Sequence, residues 1–410
     1  MTLFQKNSKA RVQFIFFTIL LDAISVGLLI PVLPDVLKRF SLSGAEVSEY
    51  FGYFLGLFSL MQFVASPVLG ALSDRYGRRP VLLISLLGAG LDYLLMAFAP
   101  NLTILFLGRI VSGLTGANLT VASSYMADIS DDSNRSANFG LIGAAFGVGF
   151  IAGPLLGGVL SHLGPQAPFI GAAILNLLNF FFGVFVLPES LSLTNRKKSQ
   201  LRHLNPFVSI FRVLKPSPYV VLIYIYFMIF LAGQVHPVNW TLYSELKFGW
   251  SSWQVGLSLS FVGVMLAIVQ GGLTRVIIPK LGEKRSFTLG LCIYVLGFFL
   301  FGVAPEGWMM YPIIILFAFS GVTIPSLQSI VTRQIPPHQQ GELQGSLVSL
   351  GSLAAILAPL LFTKLFSNFT DPQSYMGAHF YFPGIAYVTA AFICLLALTL
   401  DLFYHRQKRQ

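Results

Sequence analysis

Three ionisable residues lie inside long apolar runs: Asp22, Asp92 and Arg109. Each costs about 2.5–3.5 kcal/mol at the centre of a membrane helix, so each calls for a function or a partner. A carboxylate held at that depth suits a group that gains and loses a proton. Asp22 sits about 15 Å from the start of its run, near the middle of a bilayer. It reads as a proton carrier; the alternative is a structural acid hydrogen-bonded to a neighbouring helix. Asp92, followed by Tyr93, is also near the middle of its run. Substrate or proton contact and a packing hydrogen bond both fit it. Arg109 needs a counter-charge, and either acid could supply one. The string L-F-L-G-R-I-V-S-G-L-T-G-A-N at 105–118 surrounds it with small residues that allow close helix contact.

Other strings stand out at the ends of the runs. Residues 70–79 read G-A-L-S-D-R-Y-G-R-R between two apolar runs. Ten residues form no domain, so they predict a tight turn between membrane helices. Gly70 would permit close helix packing, and Gly77 a turn with positive φ. Asp74, Arg75, Arg78 and Arg79 crowd the same turn. Asp128 ends a later run and is followed by Asp131, Asp132 and Arg135, which alone reads as a solvated loop with a capping group. Residues 149–158, G-F-I-A-G-P-L-L-G-G, read as a small-residue packing face with a proline kink. In the second half the mid-run polar groups are Gln234, His236, Asn239, Gln270, Tyr294 and Gln328. Tyr224, Tyr226, Phe227, Phe230, Trp240 and Phe261 lie among or near them. Gln234, Asn239 and Tyr294 are the candidate substrate contacts. His236, beside Pro237, reads more readily as hydrogen-bonded core.

The elements that must position these residues follow from composition. The chain has 410 residues, 55% hydrophobic and only 10% charged, against about 25% charged in soluble proteins. A lipid-exposed backbone allows only helices or a closed barrel. The runs are far longer than barrel strands, so an all-α membrane protein is expected. Twelve spans are predicted, at 12–33, 50–72, 81–99, 102–127, 135–163, 168–187, 219–242, 253–278, 287–304, 308–331, 343–366 and 377–403. With the N-terminus inside, only Lys38, Arg39, Lys247 and Lys364 among the loop cations fall outside, so both termini are expected in the cytoplasm. That asymmetry accounts for the formal charge of +10 without nucleic acid. The polar stretch 189–217 separates two six-helix halves, 1–188 and 218–410, and reads as a cytoplasmic linker. Its basic run, Arg196, Lys197, Lys198 and Arg202, satisfies the positive-inside rule beside anionic lipid. Cys292 and Cys394 both lie in apolar runs and offer neither a disulfide framework nor a metal site. The first run contains Asp22 and is too long for a cleaved leader. No nucleophile–base or metal-ligand cluster points to an enzyme, and no cofactor is expected.

Several of these strings carry a family resemblance. Residues 70–79 resemble the signature loop between helices 2 and 3 of the major facilitator superfamily. L-L-D-A-I-S-V-G-L-L-I-P-V-L-P, S-D-R-Y-G-R-R-P-V-L-L, L-D-Y-L-L, G-R-I-V-S-G-L-T-G-A and I-A-G-P-L-L-G-G look like the tetracycline–proton antiporters. G-Q-V-H-P-V-N-W, F-G-W, L-G-E-K and H-Q-Q-G-E-L-Q-G-S-L-V-S-L extend the match through the second half. The resemblance implies a twelve-helix facilitator in the bacterial inner membrane that exports a drug against a proton by alternating access. It implies coupling roles for Asp22, Asp92 and Arg109. It implies a gate latch at Gly70, Asp74, Arg78 and Asp128, with Asp74 facing the start of span 11 and Arg78 facing Asp128. It makes Gly149, Gly153, Pro154, Gly157 and Gly158 an antiporter motif. Two positions depart from the family: its span-9 acid falls on Tyr294 and its span-8 histidine on Leu266. No carboxylate then lies mid-membrane in the second half, so coupling falls to Asp22 and Asp92. The expected function is a drug/proton antiporter for a hydrophobic or amphiphilic molecule, tetracycline-like compounds among the candidates. Its partners are the small-molecule substrate, protons and the lipid bilayer, with one chain forming a complete transport unit. The alternative is a transporter of a physiological solute such as a siderophore or metabolite, inward transport included.

Overall fold

The computed structural model describes residues 8–40, 42–116, 118–131, 135–191, 196, 220–334 and 340–407. Most of the predicted linker, and its basic residues Lys197, Lys198 and Arg202, lies outside the described residues. So do residues 335–339.

Among the described residues there are helices and no strand. Twelve helical stretches are long and apolar enough to cross a membrane. They are span 1 (Arg11–Leu29), span 2 (Gly44–Tyr76), span 3 (Arg78–Ala97), span 4 (Leu102–Ile129), span 5 (Asn138–Ser161) and span 6 (Ala167–Val186). Then come span 7 (Val220–Phe248), span 8 (Ser252–Leu281), span 9 (Glu283–Val303), span 10 (Gly307–Thr332), span 11 (Ser346–Thr370) and span 12 (Ile385–Tyr404). Apolar residues face outward as well as inward, as in Phe181, Phe185 and Phe403, because lipid replaces water around such a bundle.

The predicted boundaries shift where capping chemistry overrides hydropathy. Span 2 begins six residues earlier than expected. Ser43 Oγ accepts from the Glu46 N–H at 3.3 Å, and the Glu46 carboxylate accepts from the Ser43 N–H at 2.8 Å. This reciprocal capping box lets the helix start in a polar stretch. Span 2 also runs through the predicted turn to Tyr76, and span 3 starts at Arg78. The turn is therefore Gly77 alone, with φ 109°. Three spans of the second half are irregular mid-way. Span 7 breaks at Gln234, between helices Val220–Gly233 and Val235–Phe248. Span 8 holds a π-helical turn at Val269–Leu273, and span 10 a 3₁₀ turn at Phe319–Val322.

The chain forms two compact units. The first comprises Met1–Phe40, Leu57–Asn205 and Ser252–Ser260. Within it, span 1 packs on spans 5 and 6, and span 3 on spans 4 and 6. Its core is built on Ile15, Ile19, Leu82, Leu86, Val121, Ala122, Tyr125 and Met126. The second comprises Ser41–Gly56, Pro206–Ser251 and Phe261–Gln410. Within it, span 9 packs on spans 10 and 12, and span 7 on spans 11 and 12. Ser48 donates to the Thr363 carbonyl at 3.0 Å, and Lys364 pairs with Glu49 at 2.6 Å.

Candidate functional site

In the first unit Asp92 and Tyr93 on span 3 and Arg109 on span 4 are all buried, Tyr93 at 4% exposed. Asp92 is 2% exposed, and neither of its carboxylate oxygens has a hydrogen-bond partner. Ser112 faces that carboxylate but lies outside hydrogen-bond geometry. Arg109 is the cation nearest in effect to Asp92, so of the two acids weighed above Asp92 supplies its strongest counter-charge. Its guanidinium also lies 5.1 Å from the centre of the Phe58 ring. Gly108 makes this approach possible: a methyl there would come within 2.6 Å of Asp92 Oδ1. Asp22 is partly exposed on span 1, beside the fully buried Ala23.

The glycines of 149–158 bring span 5 onto that same segment of span 1. A Cβ on Gly149 would lie 2.5 Å from Ala23 Cβ, and one on Gly153 would lie 2.7 Å from Gly27 Cα. A Cβ on Gly157 would run into the Leu28 carbonyl, while Gly158 faces Trp253. Pro154 Cδ packs against Gly27 in turn. The motif is thus a backbone-to-backbone contact with the helix that carries Asp22. Two asparagines that the sequence motifs do not single out pin span 1 from the other side. Asn176 donates to Ser25 Oγ at 2.9 Å, and Thr18 donates to Asn179 Oδ1 at 3.3 Å. Their spacing, three apart in an otherwise apolar span, was the available signal.

At the far end of spans 2 to 4 the charged residues Asp74, Arg78 and Asp128 come together. Arg78, 8% exposed, pairs with Asp74 at 2.6 Å and with Asp128 at 3.1 Å. It also donates to Ser73 Oγ at 2.6 Å. One correction applies. Gly70 is not at a close contact, since a Cβ there would meet only Thr120 Cγ2 at 3.8 Å. Asp128 is exposed, as expected of a solvated group, and it also pairs with Arg78 and accepts from Ser190 Oγ at 2.9 Å. The helix that carries span 11 begins at Gln340 in the second unit, whereas Asp74, expected to face it, belongs to the first. Glu189, read from sequence as the first linker residue, belongs to the latch. Its carboxylate accepts from the backbone N–H groups of Arg78 at 2.9 Å and Arg79 at 3.2 Å. It therefore caps span 3 from another element, and Gly77 has no room for a Cβ because Glu189 fills that space. Replacing Glu189 by alanine is expected to cost about 1 kcal/mol, the usual worth of an N-terminal cap. A thermal melt checks this; Glu189→Gln should recover part of the loss.

In the second unit Tyr294 borders one aromatic cluster. The His236 ring lies 4.7 Å from Phe317, 5.0 Å from Phe301, 5.3 Å from Trp240, 5.5 Å from Phe298 and 5.6 Å from Tyr387. Its ring nitrogens are buried without hydrogen-bond partners, so the expected hydrogen-bonded histidine is absent. Asn239 is fully buried with both amide atoms likewise unpartnered. Tyr294 stacks on Phe298 at 5.6 Å and meets Phe317 edge-on at 5.3 Å. Gln234 sits at the break in span 7. Leu266 packs on Val269, Ala318 and Val322 as ordinary core. Tyr224, 47% exposed, turns away from this group. Among the described residues no group of three or more His, Cys, Asp or Glu side chains could hold a metal.

Residues 15–359 and 280–409 match the Major Facilitator Superfamily. The chain is similar to the class C tetracycline resistance protein of Escherichia coli, 43% identical over 382 residues that cover 93% of both chains. It is 40% identical to the class B protein of Escherichia coli over 363 residues, 88% of this chain and 89% of that one. Its fold matches the crystal structure of the human organic anion transporter MFSD10 with a TM-score of 0.70 and 25% identity, covering 96% of this chain and 99% of that one. On the fold, the site and these matches together, the chain belongs to the Major Facilitator Superfamily.

Proposed function

We propose that the protein is a proton-coupled exporter of a hydrophobic or amphiphilic small molecule, with tetracycline-like drugs as the first candidates. It would work by alternating access between the halves 1–188 and 218–410, as a monomer in a bacterial inner membrane with both termini cytoplasmic. The similarity to tetracycline resistance proteins supports the substrate class. The observation that carries the coupling is Asp92, a buried carboxylate with unpartnered oxygens beside Arg109. Such a group is the proposed proton carrier, with Asp22 on span 1 as the second.

In the proposed cycle Asp22 takes a proton from outside and substrate leaves. The transporter then reopens inward and the proton passes to the cytoplasm, with Asp92 and Arg109 exchanging charge balance on the way. Gln234, Asn239 and Tyr294 contact substrate. Asp74, Arg78 and Asp128 latch the cytoplasmic side, and the Gly149–Gly158 face holds span 5 against span 1. One proton crossing about 100 mV supplies about 2.3 kcal/mol, enough for a roughly fifty-fold gradient.

Export of a physiological solute such as a siderophore or metabolite, or its import, is the second reading. Tyr294 and Leu266 favour it, because they leave the mid-membrane of the second half without a charge to meet a cationic metal–drug chelate. Everted vesicles with an imposed proton gradient separate the two. Tetracycline with Mg²⁺, then a panel of drugs and siderophores, is added and substrate-induced proton movement is followed. A tetracycline response lost in Asp22→Asn, at unchanged expression, supports the proposal. Normal coupled export by Asp22→Asn sinks it, and a response to siderophores alone moves the function to the second reading.

A further inference from the structure

Spans 9 and 10 of the second unit run antiparallel, and three contacts fix their register. A Cβ on Gly297 would meet the Phe317 ring, one on Gly290 would meet the Thr323 side chain, and Ser329 Oγ donates to Glu283 at 2.7 Å. The steps between place Tyr294 level with Ser320, and Ser286 level with Ser326. Span 10 thus turns a hydroxyl toward span 9 at every third residue, Ser320, Thr323, Ser326 and Ser329, along one ridge of the helix. Residues three apart eclipse in a 3₁₀ turn, and the turn Phe319–Val322 sits at the head of the ridge. Ser286, Ser320, Thr323 and Ser326 are each at most 1% exposed, and none of their hydroxyls has a hydrogen-bond partner. Ser320 faces the Tyr294 hydroxyl but lies outside hydrogen-bond geometry. A buried hydroxyl left unpaired costs stability, and an apolar side chain would make the same contact without that cost. Both ends of the seam are open. Tyr294 is partly exposed, and so is Glu283, which pairs with Arg333 at 2.7 Å and lines a groove of about 810 Å³ together with Ile330.

We infer that this seam holds a file of single waters and conducts the transported proton from Tyr294 to Glu283. Hydroxyls three residues apart on a helix are separated by a rise of about 4.5 Å. That is too far for a direct hydrogen bond and suits one bridging water. Each hydroxyl accepts a proton from the water on one side as it gives its own to the water on the other, so none is left charged. The Glu283 carboxylate takes the proton last and releases it to water in the groove, at the cytoplasmic face in the orientation proposed above. The inference rests on the proton coupling proposed above. It supplies that proton with an exit through the half that has no mid-membrane acid.

Water is tested first, without any substrate. Radiolytic hydroxylation of the full-length protein in ¹⁸O-labelled water marks side chains beside bound water. Phe287, next to Ser286, and Phe362 on span 11 are equally and fully buried. Phe287 should be labelled and Phe362 not; an unlabelled Phe287 overturns the inference. Thr323→Val keeps the contact with Gly290 and removes the hydroxyl, so it should lower the Phe287 label and raise the melting temperature. A lower melting temperature would mean that the hydroxyl is already paired, and overturns the inference too. Conduction is tested in proteoliposomes with tetracycline and Mg²⁺, then with the panel above. Substrate-induced proton movement in Thr323→Val should slow about tenfold or more, the worth of one hydrogen bond to a charged group. Substrate counterflow, which needs no net proton, should be unchanged, and Thr323→Ser should restore the proton rate. Should Thr323→Val fail to fold, Ser326→Ala takes its place. A wild-type proton rate in the variant overturns the seam alone. A wild type that moves no proton with any compound overturns the coupling and the seam's role together.

Discussion

Asparagine in place of Asp92 is expected to abolish uphill transport, with the substrate gradient falling from roughly fifty-fold toward one. The side chains are nearly isosteric, so the pocket against Gly108 still closes. What is lost is the proton and the negative charge beside Arg109. Removing one member of a buried charge pair destabilises, because the other charge is left uncompensated. The single variant should therefore also melt at a lower temperature. The double variant Asp92→Asn/Arg109→Gln should recover the melting temperature and still fail to concentrate substrate. Thermal unfolding and vesicle transport, measured on the same preparations, check both parts. Restored transport in the double variant would mean that Asp92 only balances charge and carries no proton.

Gly153→Ala is expected to have a comparable effect by a different route. Its Cβ would sit 2.7 Å from Gly27 Cα and 2.8 Å from the Ile24 carbonyl oxygen. Both obstacles are backbone, so no side-chain rotation relieves them. Overpacking of this kind costs about 1–3 kcal/mol, and here it also displaces the segment of span 1 that bears Asp22. Transport should fall to background, with reduced yield of folded protein. Gly147 lies on the same helix, and a methyl added there would find nothing within 4 Å. Gly147→Ala should be neutral or stabilising by up to about 1 kcal/mol, because alanine favours the helix. Fluorescence-detected size exclusion and a transport assay on the pair decide it; equal damage at both sites would refute the packing account.

Much of the fold was legible because the bilayer imposes a single length scale. Long apolar runs in lipid have to be helices, and twelve runs became twelve spans. The charges were legible for the same reason: an acid or arginine in an apolar run stands out, and Asp92 and Arg109 are indeed buried within their spans. What the sequence hid is set by tertiary contact. Glu189 looks like the start of a polar linker, yet it caps a helix more than a hundred residues away. Gly70 and Gly153 have the same side chain, and only the neighbouring helix makes one roomy and the other tight. Asp401 lies at the end of span 12, where acids are ordinarily hydrated, but it is fully buried and accepts from Thr288 of span 9. The early start of span 2 was readable in S-G-A-E, a capping signal that hydropathy alone overlooks.

The one-residue turn at Gly77 has a mechanical meaning. A hinge needs several free torsions, whereas here two long rods meet at a single joint whose only soft residue is filled from outside by Glu189. Arg78 ties the joint to Asp74 and Asp128, and Tyr125 fastens the backbone just ahead of Glu189 through the Pro188 carbonyl at 2.9 Å. Spans 2, 3 and 4 and the root of the linker are thereby bolted to one bracket. A displacement of any one of them would have to break these contacts or carry the others with it.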